Sequence, residues 1–155
     1  MKTIAHDSQR MSLLFEYGVV TGTEVVAWAD TVIVQLDSLP DSLLQLSLTA
    51  PDNTADIISH LHQLALGSDF WAALRSVISQ IREFIIEHPD QAENIANHLF
   101  LTACFVHNKV PKDLQFMFRF DDAFSLAQDG IYGEPQTVYR DFVQELGKFD
   151  GERRQ

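Results

Sequence analysis

Apolar residues return every three or four positions along nearly the whole chain, a spacing that suits helices laid on a core. After Gly18, Thr23 reads as a helix cap, with Val25, Ala29, Val32, Ile33 and Leu36 behind it. On a helical wheel the apolar arc of this segment runs from Trp28 round to Val26. Asp30 and Asp37, seven residues apart, share one flank of it, and Glu24, Ala27 and Thr31 face solvent. Before it, Asp7 or Ser8 suits the cap of a first helix running to Tyr17. Pro40 suits the first turn of a short helix carrying Leu43, Leu44 and Leu48.

Beyond the Ala50-Pro51-Asp52 break, Asn53 or Thr54 opens a helix with Ile57, Ile58, Leu61, Leu64 and Ala65, closed by Gly67. Ser68 begins the longest helix, through Phe70, Leu74, Val77, Ile78, Ile81, Phe84 and Ile85 to His88-Pro89. Asp90 and Glu93 form an acidic variant of a capping box ahead of Ile95, Leu99, Thr102, Ala103 and Val106. Asn108 to Pro111 reads as a turn. Leu114 to Ala127 alternates at Leu114, Phe116, Phe118 and Phe120 as a strand would. Its length, its flanking turns and the lack of a partner strand favour a helix instead. Gly130 and Gly133 mark a loop, Pro135 a helix start, and Val138, Phe142, Leu146 and Phe149 a last helix.

The pattern predicts an all-α fold: one compact, irregular or orthogonal bundle of about eight helices over residues 1–155, with a frayed polar tail at 150–155. A chain of 155 residues can bury roughly 70% of the surface its unfolded form exposes. An apolar content of 46% with eleven Phe supplies that core, so disorder is excluded. No run approaches the roughly 20 apolar residues of a membrane span, and residues 1–10 hold no signal-peptide core. A cytoplasmic protein that does not insert into membranes is expected.

The charge is lopsided along the chain. Between Met11 and Leu74 there is no Lys or Arg, against eight carboxylates: Glu16, Glu24, Asp30, Asp37, Asp41, Asp52, Asp56 and Asp69. The remaining segments hold all eleven bases against fourteen acids, and the total is −11. Such a field favours a basic partner and repels nucleic acid, whose phosphates need a basic surface.

No local motif carries catalysis. His60 and His62 are two apart on a helix and point away from each other, so they do not share an ion. Asp56 with His60 supplies only two ligands, too few for zinc. Cys104 lies in an apolar run and reads as a buried thiol. His107 is three residues on, but the electropositive surroundings that activate a thiolate are missing. Asp121 and Asp122 diverge on a helix and read as a solvated face. No Gly-rich phosphate loop and no nucleophile elbow occurs. No catalytic, cofactor-binding or metal-ligating residue is therefore assigned. Trp28 and Trp71 read as core or core-rim residues. Trp28, beside Glu24 and the acidic flank, also suits a recognition patch.

The segment Thr23-Glu24-Val25-Val26-Ala27-Trp28-Ala29-Asp30, followed by Ile33, Leu36-Asp37, Leu39-Pro40 and Leu44 to Leu48, resembles a group of small uncharacterised bacterial helical proteins. The later Gly-Glu-Pro, Val-Tyr and Phe-Val-Gln-Glu-Leu pieces also resemble that group. Some relatives of this type look like immunity proteins of bacterial toxin systems. The resemblance implies partner binding and transfers no catalytic residue.

The expectation is a non-enzymatic protein-binding module, of immunity type, docking a basic protein through Glu24, Trp28, Asp30, Asp37, Asp41, Asp52 and Asp56. Trp28 or Leu39 would be the apolar anchor. The alternative is a structural or regulatory protein that forms a homodimer through Phe-rich helices such as Leu114 to Phe124. An enzyme would need a dispersed site around His60, His98, His107 and Cys104.

Overall fold

The fold, seen in a computed structural model describing residues 2–106 and 109–151, is all-α, with eight α-helices and no strand among the described residues. The helices are α1 (Lys2–Glu16), α2 (Gly22–Ile33), α3 (Asp41–Ser47), α4 (Thr54–Leu64), α5 (Phe70–Glu87), α6 (Ala92–Phe105), α7 (Phe120–Gln128) and α8 (Pro135–Gly147). Two compact units divide the chain, Met1–Val77 and Ile78–Gln155, with the boundary inside α5. His107, Asn108 and the 152–155 part of the expected tail lie outside the described residues.

In the first unit α4 packs against α1 and α3, and α2 packs against α3 and α4. The core is Val25 and Ala29 from α2, Leu43 and Leu46 from α3, and Ile57, Leu61 and Leu64 from α4. Met11, Phe15, Trp28, Val32 and Leu39 pack around it, half-buried. Burial of such side chains contributes about 1.5–3 kcal/mol each, and this holds the short helix α3 in place where its own length would not.

In the second unit α7 packs against both α6 and α8. Phe142 of α8 is fully buried, its ring 4.9 Å from that of Phe120 and 5.8 Å from that of Phe124. Ile95, Leu99 and Ala103 line the buried face of α6. The Arg82 Nε–H donates to the Val143 carbonyl at 3.1 Å, and the Tyr139 hydroxyl donates to the Ile85 carbonyl at 3.3 Å.

Most helix ends fall where the punctuation places them. Gly18, Gly67, Gly130 and Gly133 adopt positive φ, Asn53 caps α4, and Pro135 opens α8. Several expectations are corrected. Helix α1 begins at Lys2, so Asp7 and Ser8 are interior. Ser8 sits one turn after Ile4 on the inward face and is fully buried. The cap of α2 is Thr21, not Thr23: the Glu24 amide donates to Thr21 Oγ1 at 3.2 Å.

Helix α2 also stops at Ile33, because a tight bond from the Gln35 amide to the Val32 carbonyl replaces the next helical one. Leu36 and Asp37 therefore lie beyond the helix, and Asp30 and Asp37 share no helical flank. Pro40 caps α3 from outside, one residue before its first turn. The cap of α5 is Asp69, whose Oδ1 accepts from the Ala72 amide at 3.1 Å.

The acidic capping box at Asp90 and Glu93 does not form. Pro89–Gln91 is a 3₁₀ turn, and the Ala92 amide bonds to the Pro89 carbonyl instead. The Leu114 to Ala127 segment is not one helix. It is a 3₁₀ stretch, Lys112–Phe118, then α7, joined at Arg119. The tighter 3₁₀ winding turns Leu114, Phe116 and Met117 inward together. Cys104 is exposed rather than buried, because it follows Ala103 by about 100° around α6 and so leaves the buried stripe.

Candidate partner-binding face

All six acids of the expected docking face are exposed, and all lie on or beside α2, α3 and α4, which carry no Lys or Arg. Three of them serve helix N-termini, where a negative charge is stabilised by the helix dipole. The Glu24 carboxylate accepts from the Thr21 amide and hydroxyl, both at 3.1 Å. The Asp56 carboxylate accepts from Asn53 Nδ2 at 2.9 Å while its amide donates to Asn53 Oδ1 at 3.2 Å. Asp41 occupies the first turn of α3. By contrast, the side chains of Asp30, Asp37 and Asp52 bond to nothing among the described residues.

The fold gathers these acids into two groups. Gly22 lies against the Pro51 carbonyl, which brings the start of α2, with Glu24, beside Asp52 and the start of α4, with Asp56. Asp37, in the α2–α3 connection, and Asp41, at the start of α3, lie toward the far end of a helix about 18 Å long. Asp30 lies on the outer face of α2, exposed with Ala27 and Thr31. Trp28 is half-buried against the core.

Apolar residues accompany the second group in a way that helix periodicity alone does not reveal. On α3, Leu43 and Leu46 face the core, whereas Asp41, Leu44 and Leu48 form an outward stripe. Leu48 is 85% exposed and Val34, between Asp30 and Asp37, 83%. A recess of about 410 Å³ adjoins Asp41, lined by Ile4, Ala5, Pro40, Leu64 and Leu66 and also by the polar Ser42 and Gln63. An acid at the lip of a partly apolar recess suits a side chain with an apolar stem and a cationic head.

Counted by compact unit, the charge is shared more evenly than by sequence halves. The first unit holds three bases against nine acids, and the second eight bases against thirteen. What distinguishes the first unit is distribution, since its three bases, Lys2, Arg10 and Arg75, all lie on α1 and α5. In the second unit Glu145 draws in two of the bases, with Lys148 Nζ at 2.8 Å and Arg119 at 3.5 Å.

The other sequence-singled residues do not converge. His62 lies 3.4 Å from Glu16, and Asp121 accepts from Asn97 Nδ2 at 3.1 Å. Among the described residues, no group of three or more His, Cys, Asp or Glu side chains is placed to hold a metal ion. No described helix is long and apolar enough to cross a membrane. No family model matches this chain, and no curated protein or solved structure matches it significantly.

Proposed function

We propose that this protein is a non-enzymatic binding module that docks a basic protein partner through the acidic, partly apolar face of α2, α3 and α4, as an immunity-type inhibitor would. The observation that carries this reading is the set of exposed carboxylates Asp30, Asp37 and Asp52, unpaired among the described residues and borne on elements without a base. Their field raises the association rate, while a partner's Lys or Arg entering the recess beside Asp41, together with Leu44 and Leu48, supplies the lasting contact.

The test is comparative capture of proteins from the native lysate, at low and high salt, by the wild-type chain and by the Asp30→Lys, Asp37→Lys double variant. The expected result is a basic protein held by the wild type at low salt and lost by the variant. Retention of the same proteins by both would sink the docking mechanism.

The expected homodimer face from Leu114 to Phe124 is largely absent, because Leu114, Phe116, Met117, Phe120 and Phe124 are buried in the second unit's own core; a second reading rests instead on α6. Leu101, Cys104 and Phe105 form an exposed, largely apolar strip on α6, with Phe105 75% exposed. Burial of that strip against a second copy would give a homodimer. Sedimentation equilibrium decides it, because a monomer at every concentration removes this reading.

A further inference from the structure

We propose that the second unit contains a binding cleft for short zwitterionic peptides, free at both ends and apolar in the middle. The cleft is a cavity of about 640 Å³ beside α7, within the roughly 300–1,000 Å³ of small-molecule sites. Phe124 of α7, almost wholly buried, forms its floor with Ala92 of α6 and Val143 of α8. Because α7 packs against both α6 and α8, these two helices supply the flanking walls. One wall carries Asp90 and Glu93, from the 3₁₀ turn and the first turn of α6. The other carries Arg140 of α8.

Exposed opposite charges gain little by pairing with each other in water, which leaves them open to a ligand. Here no ion pair joins Arg140 to Asp90 or Glu93 among the described residues, and all three side chains are exposed. The Asp90 carboxylate accepts only from its neighbour Gln91, at 3.2 Å. Packing fixes the Arg140 wall: the Phe124 ring rests on Phe142, and the Tyr139 hydroxyl, next to Arg140, is tied to the Ile85 carbonyl. The cleft has a negative side, a positive side and an apolar floor. A ligand complementary to it has an ammonium at one end, a carboxylate at the other and an apolar body between them.

Size narrows the class. A cavity of about 640 Å³ has room for a peptide of two or three residues, which spans roughly 7–11 Å when extended. The N-terminal ammonium belongs against Asp90 and Glu93, and the C-terminal carboxylate against the Arg140 guanidinium, which accommodates it by paired N–H donation.

The experiment is isothermal titration of the full chain with a panel of free di- and tripeptides bearing apolar side chains, alanyl-phenylalanyl-alanine among them. Each is also titrated as its C-terminal amide and its N-acetyl derivative. The free peptide is expected to bind saturably, and either modification to weaken binding on the order of tenfold, the scale of one lost charge-assisted hydrogen bond. In Arg140→Gln, amidation is expected to matter no further. In the Asp90→Asn, Glu93→Gln variant, acetylation is expected to matter no further. Circular dichroism checks that these exposed substitutions leave the fold intact. The proposal is overturned if no member of the panel binds saturably, or if the blocked peptides bind as well as the free ones.

Discussion

Thr21 and Glu24 satisfy each other's backbone amides at the start of α2. The Glu24 amide donates to Thr21 Oγ1 at 3.2 Å, and the Thr21 amide donates to Glu24 Oε1 at 3.1 Å. This capping box makes one of the acids of the proposed docking face part of the fold itself. Thr21→Ala is expected to lower stability by about 1 kcal/mol, read from the urea midpoint. Thr23→Ala, exposed one position inside the helix, should stay within about 0.5 kcal/mol. Glu24→Gln keeps the box, so it should leave stability nearly unchanged while slowing partner association.

Gly22 is held against the chain that leads into α4. A Cβ at this position would overlap the Pro51 carbonyl oxygen, a backbone atom that cannot rotate aside. Alanine improves helix propensity over glycine by up to about 1 kcal/mol, but overpacking against backbone costs about 1–3 kcal/mol or more. Gly22→Ala is therefore expected to be destabilising in thermal or urea denaturation. Gly151→Ala, with open space around the new methyl group, should be neutral.

Phe142 is the largest fully buried side chain of the second unit and touches two other rings. Phe142→Ala is expected to cost about 3–5 kcal/mol. Phe105→Ala removes an equally large side chain from the exposed strip of α6 and should cost under about 0.5 kcal/mol in the monomer. Denaturant titration of the two variants makes the comparison. Similar losses would contradict the assigned faces of α6 and α8.

Cys104 stands outside the buried stripe of α6. Its thiol is expected to react with Ellman's reagent in the folded protein, in full stoichiometry and without denaturant. Protection until unfolding would place it inside after all.

Asp30 and Asp37 hold nothing in place, so Asp30→Lys and Asp37→Lys should each change stability by less than about 0.5 kcal/mol. A loss of partner capture in these variants then reports docking rather than unfolding. Urea denaturation of the variants, run beside the capture experiment, checks this.

The sequence reading succeeded where the deciding interaction is local. The positive-φ glycines Gly18 and Gly67, the Asn53 cap and Pro135 at the start of α8 act within a turn of the positions they terminate or open. It failed where two local solutions were nearly equal. Thr21 and Thr23 are both sound caps, and the choice fell to Thr21 with Glu24 three residues on, where Gly22 lies against Pro51. Nothing in the sequence marks the end of α2 at Ile33, since no Gly or Pro stands there. The proposed docking face was legible in part. The base-free acidic stretch is plain in the sequence, whereas the outward stripe of Leu44 and Leu48 and the recess beside Asp41 are not.

By itself the order of residues determined that this chain is helical, roughly where its helices break, and that α2, α3 and α4 carry acids without bases. Those outcomes rest on hydrogen bonds, φ preferences and charges acting over a few residues. Tertiary structure alone decided which leucines of α3 face out, that Cys104 is exposed, and that Asp90, Glu93 and Arg140 line one cleft without pairing. Each of these depends on contacts between helices far apart in sequence, and an apolar stripe states that a face will be buried without naming what will cover it.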